Sequence, residues 1–357
     1  MGIGTDLVKF FVITNSHYLS DTGQYAARSL NEFIQEHPEH ITADLWPVTL
    51  RLALQGHLHF AGTANEFPLS QLWLNYRFFS QPFLEADMIY GTFDFAALGF
   101  PYVRDYFKHS VKAINVIKAD GRPDNGTGFI LEDRRFVTAR HCIEQKREIH
   151  IDGWDAVHAP LNAIWVFRDT RYSPRSEVDK RPDLALLEFT SDPFPGIPGF
   201  ELQEAQILDD VLTMGCPTVP GFDQMFITET AQIAAELKST VGHVVAQERA
   251  YLGNLPYLLI SARVKGGNSG GPVIGREGKV VGVVAQLLAE AEGRLDMLGY
   301  GVVVPTSILK QLLQATHSRP GLKQGRVATL TYADRYRQMA KEAAAQQRLK
   351  RRPNCYG

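Results

Sequence analysis

The spacing of hydrophobic positions changes near residue 110. Beyond it, short β-branched runs recur with turn residues between them, at 112–118, 126–131, 136–139, 148–151, 164–167 and 184–189. A second series follows at 207–214, 241–246, 257–264, 271–274, 280–285 and 299–304. Many short strands at this spacing predict barrels or sandwiches rather than helices. The Pro- and Gly-rich stretch at 194–199 divides them into two sets of six. Pro305-Thr306-Ser307 then opens a helix over 306–316, with Ile308, Leu309, Leu312 and Leu313 on one face. The first hundred residues have helical spacing instead. Ser20-Asp21-Thr22 is placed to cap a helix over about 23–36, with Tyr25, Leu30, Phe33 and Ile34 on one side, and a second helix is expected over 70–80. The pattern predicts a mainly β fold, barrels or sandwiches in two sets of six strands, with an N-terminal α-containing unit and a C-terminal helical tail. The boundaries are 1–105, 106–318 (barrels about 110–195 and 200–305) and 319–357.

Composition narrows the class. Hydrophobic residues make up 45% of the 357 and charged residues 21%, as in soluble globular proteins. The net charge of −2 gives no global pull toward nucleic acid or membranes. No apolar run approaches the ~20 residues of a membrane span. The stretch 7–13 follows Asp6, contains Lys9, and leads into Thr14-Asn15-Ser16-His17 without a small-residue cleavage site, so no secretory leader is expected. Cys142, Cys216 and Cys355 are odd in number and far apart, which fits neither a disulfide framework nor a zinc set. Free thiols and a cytoplasmic location are therefore expected. Charge is uneven, however. Residues 321–357 hold nine Lys/Arg against two acidic residues, a net of +7 that leaves −9 on the remainder. Residues 332–350 have helical composition and make a solvated basic helix or a site for an anionic partner.

The aromatic residues crowd into the first unit, among them Trp46, Phe60, Phe67, Trp73, Phe78, Phe79, Phe93 and Phe95. Their expected role is packing, with a docking surface for a protein partner as the alternative. His57 and His59 have no Cys, Asp or Glu beside them and are read as structural, so no metal site is expected.

The candidate chemistry centres on Gly267-Asn268-Ser269-Gly270-Gly271-Pro272-Val273. A serine between close-set glycines allows a bound group near the backbone and points N–H groups at it, which is half of an acyl-transfer site. A serine hydroxyl also needs a base, and the base needs a group to hold its tautomer. His141 follows a β-run that ends at Ala139. Asp183 opens the apolar run 184–189, where a buried carboxylate requires a donor.

With these three residues in the order His, Asp, Ser, the chain resembles the chymotrypsin/trypsin-like serine peptidases, nearest the Deg-type branch. The resemblance rests on Gly126-Thr127-Gly128-Phe129-Ile130, Val137-Thr138-Ala139-Arg140-His141-Cys142, Asp183-Leu184-Ala185-Leu186-Leu187, Met214-Gly215-Cys216-Pro217, residues 267–273 and residues 299–305. It covers about 110–316 and implies that family's double six-stranded β-barrel fold there. It implies a serine endopeptidase with Ser269 as nucleophile, His141 as general base and acid, Asp183 orienting His141, and the N–H groups of Gly267 and Ser269 as oxyanion hole. No cofactor is implied, and the partner is a protein or peptide substrate. Arg263, Val264 and Lys265 are expected near the primary pocket, and Val284, Ala285 and Gln286 beside the bound substrate as an added strand. The cations Arg263 and Lys265 favour an acidic side chain there if they face the pocket; alternation about Val264 equally allows both to face solvent.

The departures matter too. Asn268 replaces the acid that pairs with a freed N-terminus in trypsin-type zymogens, and Cys142 lacks the partner near Gly126 that secreted members have. No PDZ-like stretch is expected after residue 316. Two other roles stay open: a catalytically silent peptide-binding barrel, and a latent peptidase released by a ligand or partner at the N-terminal unit, as a stress or immunity effector.

Overall fold

The computed structural model describes residues 2–14, 18–19, 24–41, 44–63, 73–118, 121, 123–144, 146–167, 181–218, 224–227, 231–234, 236–249, 255–285, 299–317 and 327–330. It divides into two compact units. One is Met1–Tyr106 with Arg276–Gly278; the other is Phe107–Gly275 with Lys279–Gly357.

The first unit runs α1 (Ile3–Phe10), β1 (Tyr18–Leu19), β2 (Gln24–Tyr25), β3 (Arg28–Ser29), α2 (Leu30–Glu36), α3 (Leu45–Leu54), β4 (His59–Thr63), β5 (Tyr76–Phe79), α4 (Glu85–Tyr90), α5 (Thr92–Leu98) and α6 (Phe100–Phe107). Its core gathers Leu7, Phe11, Leu30, Phe33, Leu45, Leu52, Phe78 and Phe93, so aromatic residues of this unit pack on one another. The N-terminal N–H groups of α1 meet the buried Asp94 carboxylate, which accepts from Gly4 N at 2.8 Å, Thr5 N at 3.3 Å and Thr5 Oγ1 at 2.8 Å. Two expectations change. The helix expected from 23 begins at Leu30, because Ser29 and Glu32 form a capping box: Ser29 N–H donates to Glu32 Oε2 at 2.6 Å and Glu32 N–H to Ser29 Oγ at 3.2 Å. The helix expected over 70–80 is replaced at its C-terminal end by β5. Its Tyr-Arg-Phe-Phe sequence suits a pleated surface and pairs with both β3 and β4. Residues 64–72 lie outside the described residues. His57 and His59 sit against different rings, Phe93 and Phe79, at 5.4 and 5.1 Å.

The second unit begins with β6 (Val111–Lys118), β7 (Pro123–Ile130), β8 (Phe136–Thr138), the short helix α7 (Arg140–Ile143), β9 (Lys146–Ile151), β10 (Leu161–Phe167) and β11 (Ala185–Phe189). It continues with β12 (Asp210–Gly215), the hairpin β13 (Gln224–Ile227) and β14 (Ala231–Ala234), β15 (Lys238–Arg249), β16 (Pro256–Ile260), β17 (Pro272–Ile274), β18 (Val280–Val284), β19 (Gly301–Pro305), α8 (Thr306–His317) and β20 (Val327–Leu330). Each of the twelve runs marked by apolar spacing contains or overlaps a strand. The hairpin β13–β14 and β20 carried no such mark.

The later set closes into a barrel in the order β12-β15-β16-β19-β18-β17 around Val211, Val244, Leu258, Ile260, Val273, Val281 and Val303. The earlier set differs from the closed six-strand barrel expected there. It is a seven-stranded sheet, β20-β10-β11-β8-β7-β6-β9, over a core of Ile114, Val116, Phe136, Ile164, Val166, Ala185 and Leu187. Closure would pair β9 with the outer edge of β10, but that edge is taken by β20, with Val166 opposite Ala328 and Ile164 opposite Leu330. So the tail, expected to be helical, contributes a strand at Val327–Leu330, where a β-branched sequence meets a sheet edge. The basic helix expected over 332–350 lies outside the described residues. The chain leaving the Pro- and Gly-rich break touches both sets, with Phe200 bridged to Leu131 and Leu202 to Val280, and the Phe129 ring edge-on to Phe200.

Candidate active site

The register of the first sheet brings His141 and Asp183 together. β8 and β11 are antiparallel, with Thr138 opposite Ala185 and Val137 opposite Leu186. Continued two residues, that register sets Asp183 across from Arg140. There the chain leaves the sheet as α7, and His141 turns onto the carboxylate. The His141 backbone N–H donates to Asp183 Oδ1 at 2.9 Å, and ring Nδ1 lies 2.6 Å from Oδ2. The strand pairing thus answers the demand of a buried carboxylate for donors. Burial raises the Asp183 pKa, but the hydrogen bonds and charge of His141, with Arg140 nearby, outweigh it and hold the group below the ordinary carboxylate value. Burial lowers the His141 pKa. The bonds to Asp183 and to Cys142, with their charge, outweigh that and push it up to about 10.

Ser269 is positioned by backbone. Two turns follow one another: Asn268 N–H donates to Lys265 O at 3.0 Å, and Gly271 N–H to Asn268 O at 2.9 Å. The third residue of each is a glycine with positive φ, Gly267 at 92° and Gly270 at 86°, as a type II turn requires. This is why the loop needs glycines on both sides of the serine. Asn268 N–H is directed into its turn. Among the described residues, the N–H groups of Gly267 and Ser269 on either side of it donate to nothing.

Thr127 of β7 and Cys142 of α7 hold this loop. Thr127 N–H donates to Ser269 O at 2.9 Å, and Thr127 Oγ1 donates to Gly267 O at 2.6 Å while accepting from Cys216 N–H at 2.9 Å. Thr127 O accepts from Thr138 Oγ1 at 2.7 Å, and Thr127 is fully buried. Cys142 Sγ lies 3.6 Å from His141 Nε2 and 3.5 Å from Ser269 O. The three residues are therefore gathered at one seam. The Ser269 hydroxyl and His141 Nε2 are not hydrogen-bonded to each other. Neither Thr127 nor the sulfur contact was picked out from the sequence. The signal for Thr127 was present as a hydroxyl residue between Gly126 and Gly128, where side chains would strike Cys142 Sγ and Phe136.

Residues 126–283 match the family model of the trypsin-like peptidase domain. The chain contains a trypsin-like peptidase domain. Among curated proteins it is 25% identical over 197 residues to a probable periplasmic serine endoprotease DegP-like of Marinomonas sp. (strain MWYL1), covering 55% of this chain and 36% of that protein. It is 24% identical over 220 residues to the protein of the same description from Chlamydia trachomatis serovar D, covering 60% and 39%. The chain thus spans less than half the length of these relatives. Among solved structures it is similar to the M. tuberculosis Rv3671c protease in its active form, at 20% identity and a TM-score of 0.41, covering 63% of this chain and 87% of that one. It is also similar to the HtrA-type protease AlgW with tripeptide, at 17% identity and a TM-score of 0.40, covering 62% and 64%. The curated relatives are named periplasmic, which lends no support to the cytoplasmic location expected from the cysteines. No helix among the described residues is long and apolar enough to cross a membrane. Cys142 and Cys216 are buried and form no disulfide, and Cys355 lies outside the described residues.

The peptidase domain spreads the expected substrate-contact residues unevenly. Arg263 and Lys265 are exposed on either side of half-buried Val264. Val264 approaches the α-carbon face of Gly301, where an added Cβ would meet its methyl at 2.9 Å. Val284 cannot pair with a substrate strand. Its N–H donates to Gly271 O at 2.9 Å, its carbonyl accepts from Gly270 N–H at 2.7 Å, and its side chain is buried in the barrel core. The expectation for Val284 is corrected accordingly: it supports the Ser269 loop. Ala285 N–H donates to Val302 O at 2.9 Å. Gln286 lies outside the described residues.

Proposed function

We propose that the chain is a serine endopeptidase whose reaction runs through an acyl-enzyme. The reading is carried by one observation: the His141–Asp183 pair meets the Ser269 turn at a seam held by Thr127. In the proposed reaction Ser269 Oγ attacks the scissile carbonyl carbon while His141 Nε2 takes its proton. Asp183 holds Nδ1–H and stabilises the imidazolium. The carbonyl oxygen gains negative charge opposite the N–H groups of Gly267 and Ser269. The C–N bond then breaks, and the amine leaves with the proton from Nε2. Water repeats the cycle on the ester, with His141 again taking and returning a proton, and frees the acid. No metal or cofactor takes part. The substrate lies along Ala285 and Gln286 with its primary side chain toward Val264. Residues 106–318 serve as the catalytic domain, and residues 1–105 and 319–357 as appended units.

A latent resting state is the second reading. It is favoured by the sulfur of Cys142 beside His141 Nε2 and by the raised His141 pKa, since an imidazolium cannot accept the serine proton. Asn268 supports release by a route other than a freed N-terminus. The test is hydrolysis of an unfolded protein substrate, followed by sequencing of the new N-termini. Wild type generates them and Ser269→Ala does not. Cleavage retained by Ser269→Ala would overturn the assignment.

A further inference from the structure

The N-terminal unit holds a cluster of ligating side chains that the peptidase reading does not use. α2 ends at Glu36, His37 caps it, and Pro38–His40 form one 3₁₀ turn. Side chains three apart eclipse in such a turn. His37 and His40 therefore project together, and both imidazoles stack on the fully buried Phe33 ring, at 4.9 and 5.9 Å with interplanar angles of 29° and 5°. Glu39 reaches back between them. Its Oε1 is 3.3 Å from His37 Nδ1 and 3.9 Å from His40 Nε2. From α1, Asp6 Oδ2 comes within 2.9 Å of the same His40 nitrogen.

We propose that His37, Glu39, His40 and Asp6 form a zinc site. The ligand atoms of the first three all lie within 4.8 Å of one another. Tetrahedral zinc bound at about 2.0–2.1 Å places its ligand atoms about 3.3 Å apart. The separations of 3.3 and 3.9 Å from Glu39 to the two imidazoles bracket that value, and Asp6, 2.9 Å from His40 but outside the group of three, turns inward as the fourth ligand. Two imidazoles and two carboxylates suit zinc better than the all-oxygen shells of calcium or magnesium. Their two negative charges balance the ion. Asp6 and His40 are mostly buried, while the Glu39 side chain is 60% exposed, which provides a fixed side and an entry side. Bound zinc would clamp α1 to the end of α2, two elements otherwise joined by packing around Phe33 and Phe10.

The test uses the full chain, titrated with Zn²⁺ against a chromogenic chelator. Wild type is expected to bind one zinc that the His37→Ala/His40→Ala variant does not bind, and Glu39→Gln, an exposed change compatible with folding, to lose at least tenfold in affinity. X-ray absorption of the bound zinc is expected to show nitrogen and oxygen at about 2.0 Å with imidazole scattering and no sulfur. Zinc is also expected to raise the Tm of wild type and not of the double variant, a difference that a merely structural histidine pair does not produce. No zinc bound by wild type, equal stoichiometry in the double variant, full affinity in Glu39→Gln, or sulfur among the ligands would each overturn the site.

Discussion

The two sheets of the peptidase domain position their chemical groups by different means. In the open first sheet, a side chain sets the position: the Asp183 carboxylate holds His141 by its ring Nδ1 at 2.6 Å and its backbone N–H at 2.9 Å. In the closed second barrel, backbone sets it: Ser269 is the second residue of the latter of two successive turns whose glycines accept positive φ, braced by Val284. The difference teaches that acidity and geometry are set separately. The proton affinity of His141 depends on a buried carboxylate and a neighbouring sulfur, whereas the aim of Ser269 depends on turn conformation. Thr127 is where the first sheet reaches across to the second. Substitutions on the two sides should therefore fail in different ways.

The largest loss is expected on the first sheet. Asp183→Asn keeps the shape but removes the charge and the tautomer control of His141. The expected fall in kcat is about 10⁴-fold, the size of the same change in the triad of the trypsin-like family itself. Steady-state kinetics on a peptide ester or amide measures it. A loss under tenfold would separate Asp183 from the chemistry.

The seam comes next. Thr127→Val keeps the volume and removes the hydroxyl, and with it the buried bonds to the Gly267 carbonyl and the Cys216 N–H. Stability should fall by about 2 kcal/mol. kcat should fall roughly ten- to a hundredfold with little change in KM, less than the ~10²–10³ lost when an oxyanion donor is removed outright. Thr127→Ser should recover most of both. Chemical denaturation and kinetics check this together, and loss of stability with kcat intact would make Thr127 structural only.

The smallest effect concerns pH. The base must be neutral, and its pKa is raised from 6.5 to about 10 in this structure. Activity should therefore climb as pH rises toward and through about 10, and Cys142→Ala, which removes a bond and a charge that favour the imidazolium, should move that limb toward acid. Stability runs the other way. The raised His141 pKa contributes stability that is complete below pH 6.5 and lost as pH rises through about 10. The lowered Asp183 pKa contributes stability present above 3.8 and lost as pH falls. Tm against pH should thus fall on both sides of a plateau from about 4 to 6.5 in wild type and flatten in Asp183→Asn. An unchanged profile in that variant would contradict the pairing.

The sequence was most informative where local pattern and burial agree. Each of the twelve short β-branched runs bounded by turn residues meets a strand, and Asp183 before an apolar run requires a donor that the β8–β11 register supplies. It was least informative where the deciding contact lies far along the chain. Nothing local to Val327–Leu330 announces the edge of β10, so a tail with helical composition was assigned no strand. Thr127 bonds residues about 90 and 140 positions away. Val284 was misassigned because exposure of its backbone depends on how closely the Ser269 turns approach. In the first unit, Ser29 with Glu32 was a legible capping box that outweighed the earlier Ser20-Asp21-Thr22 signal.

The central claim is that Ser269 is a nucleophile made reactive by His141. A fluorophosphonate probe with intact-mass and peptide-map readout tests it directly. One adduct per chain on Ser269 is expected at neutral to alkaline pH, absent in Ser269→Ala and strongly reduced in His141→Ala. No adduct on wild type across that range, or an adduct undiminished in Ser269→Ala, would contradict it.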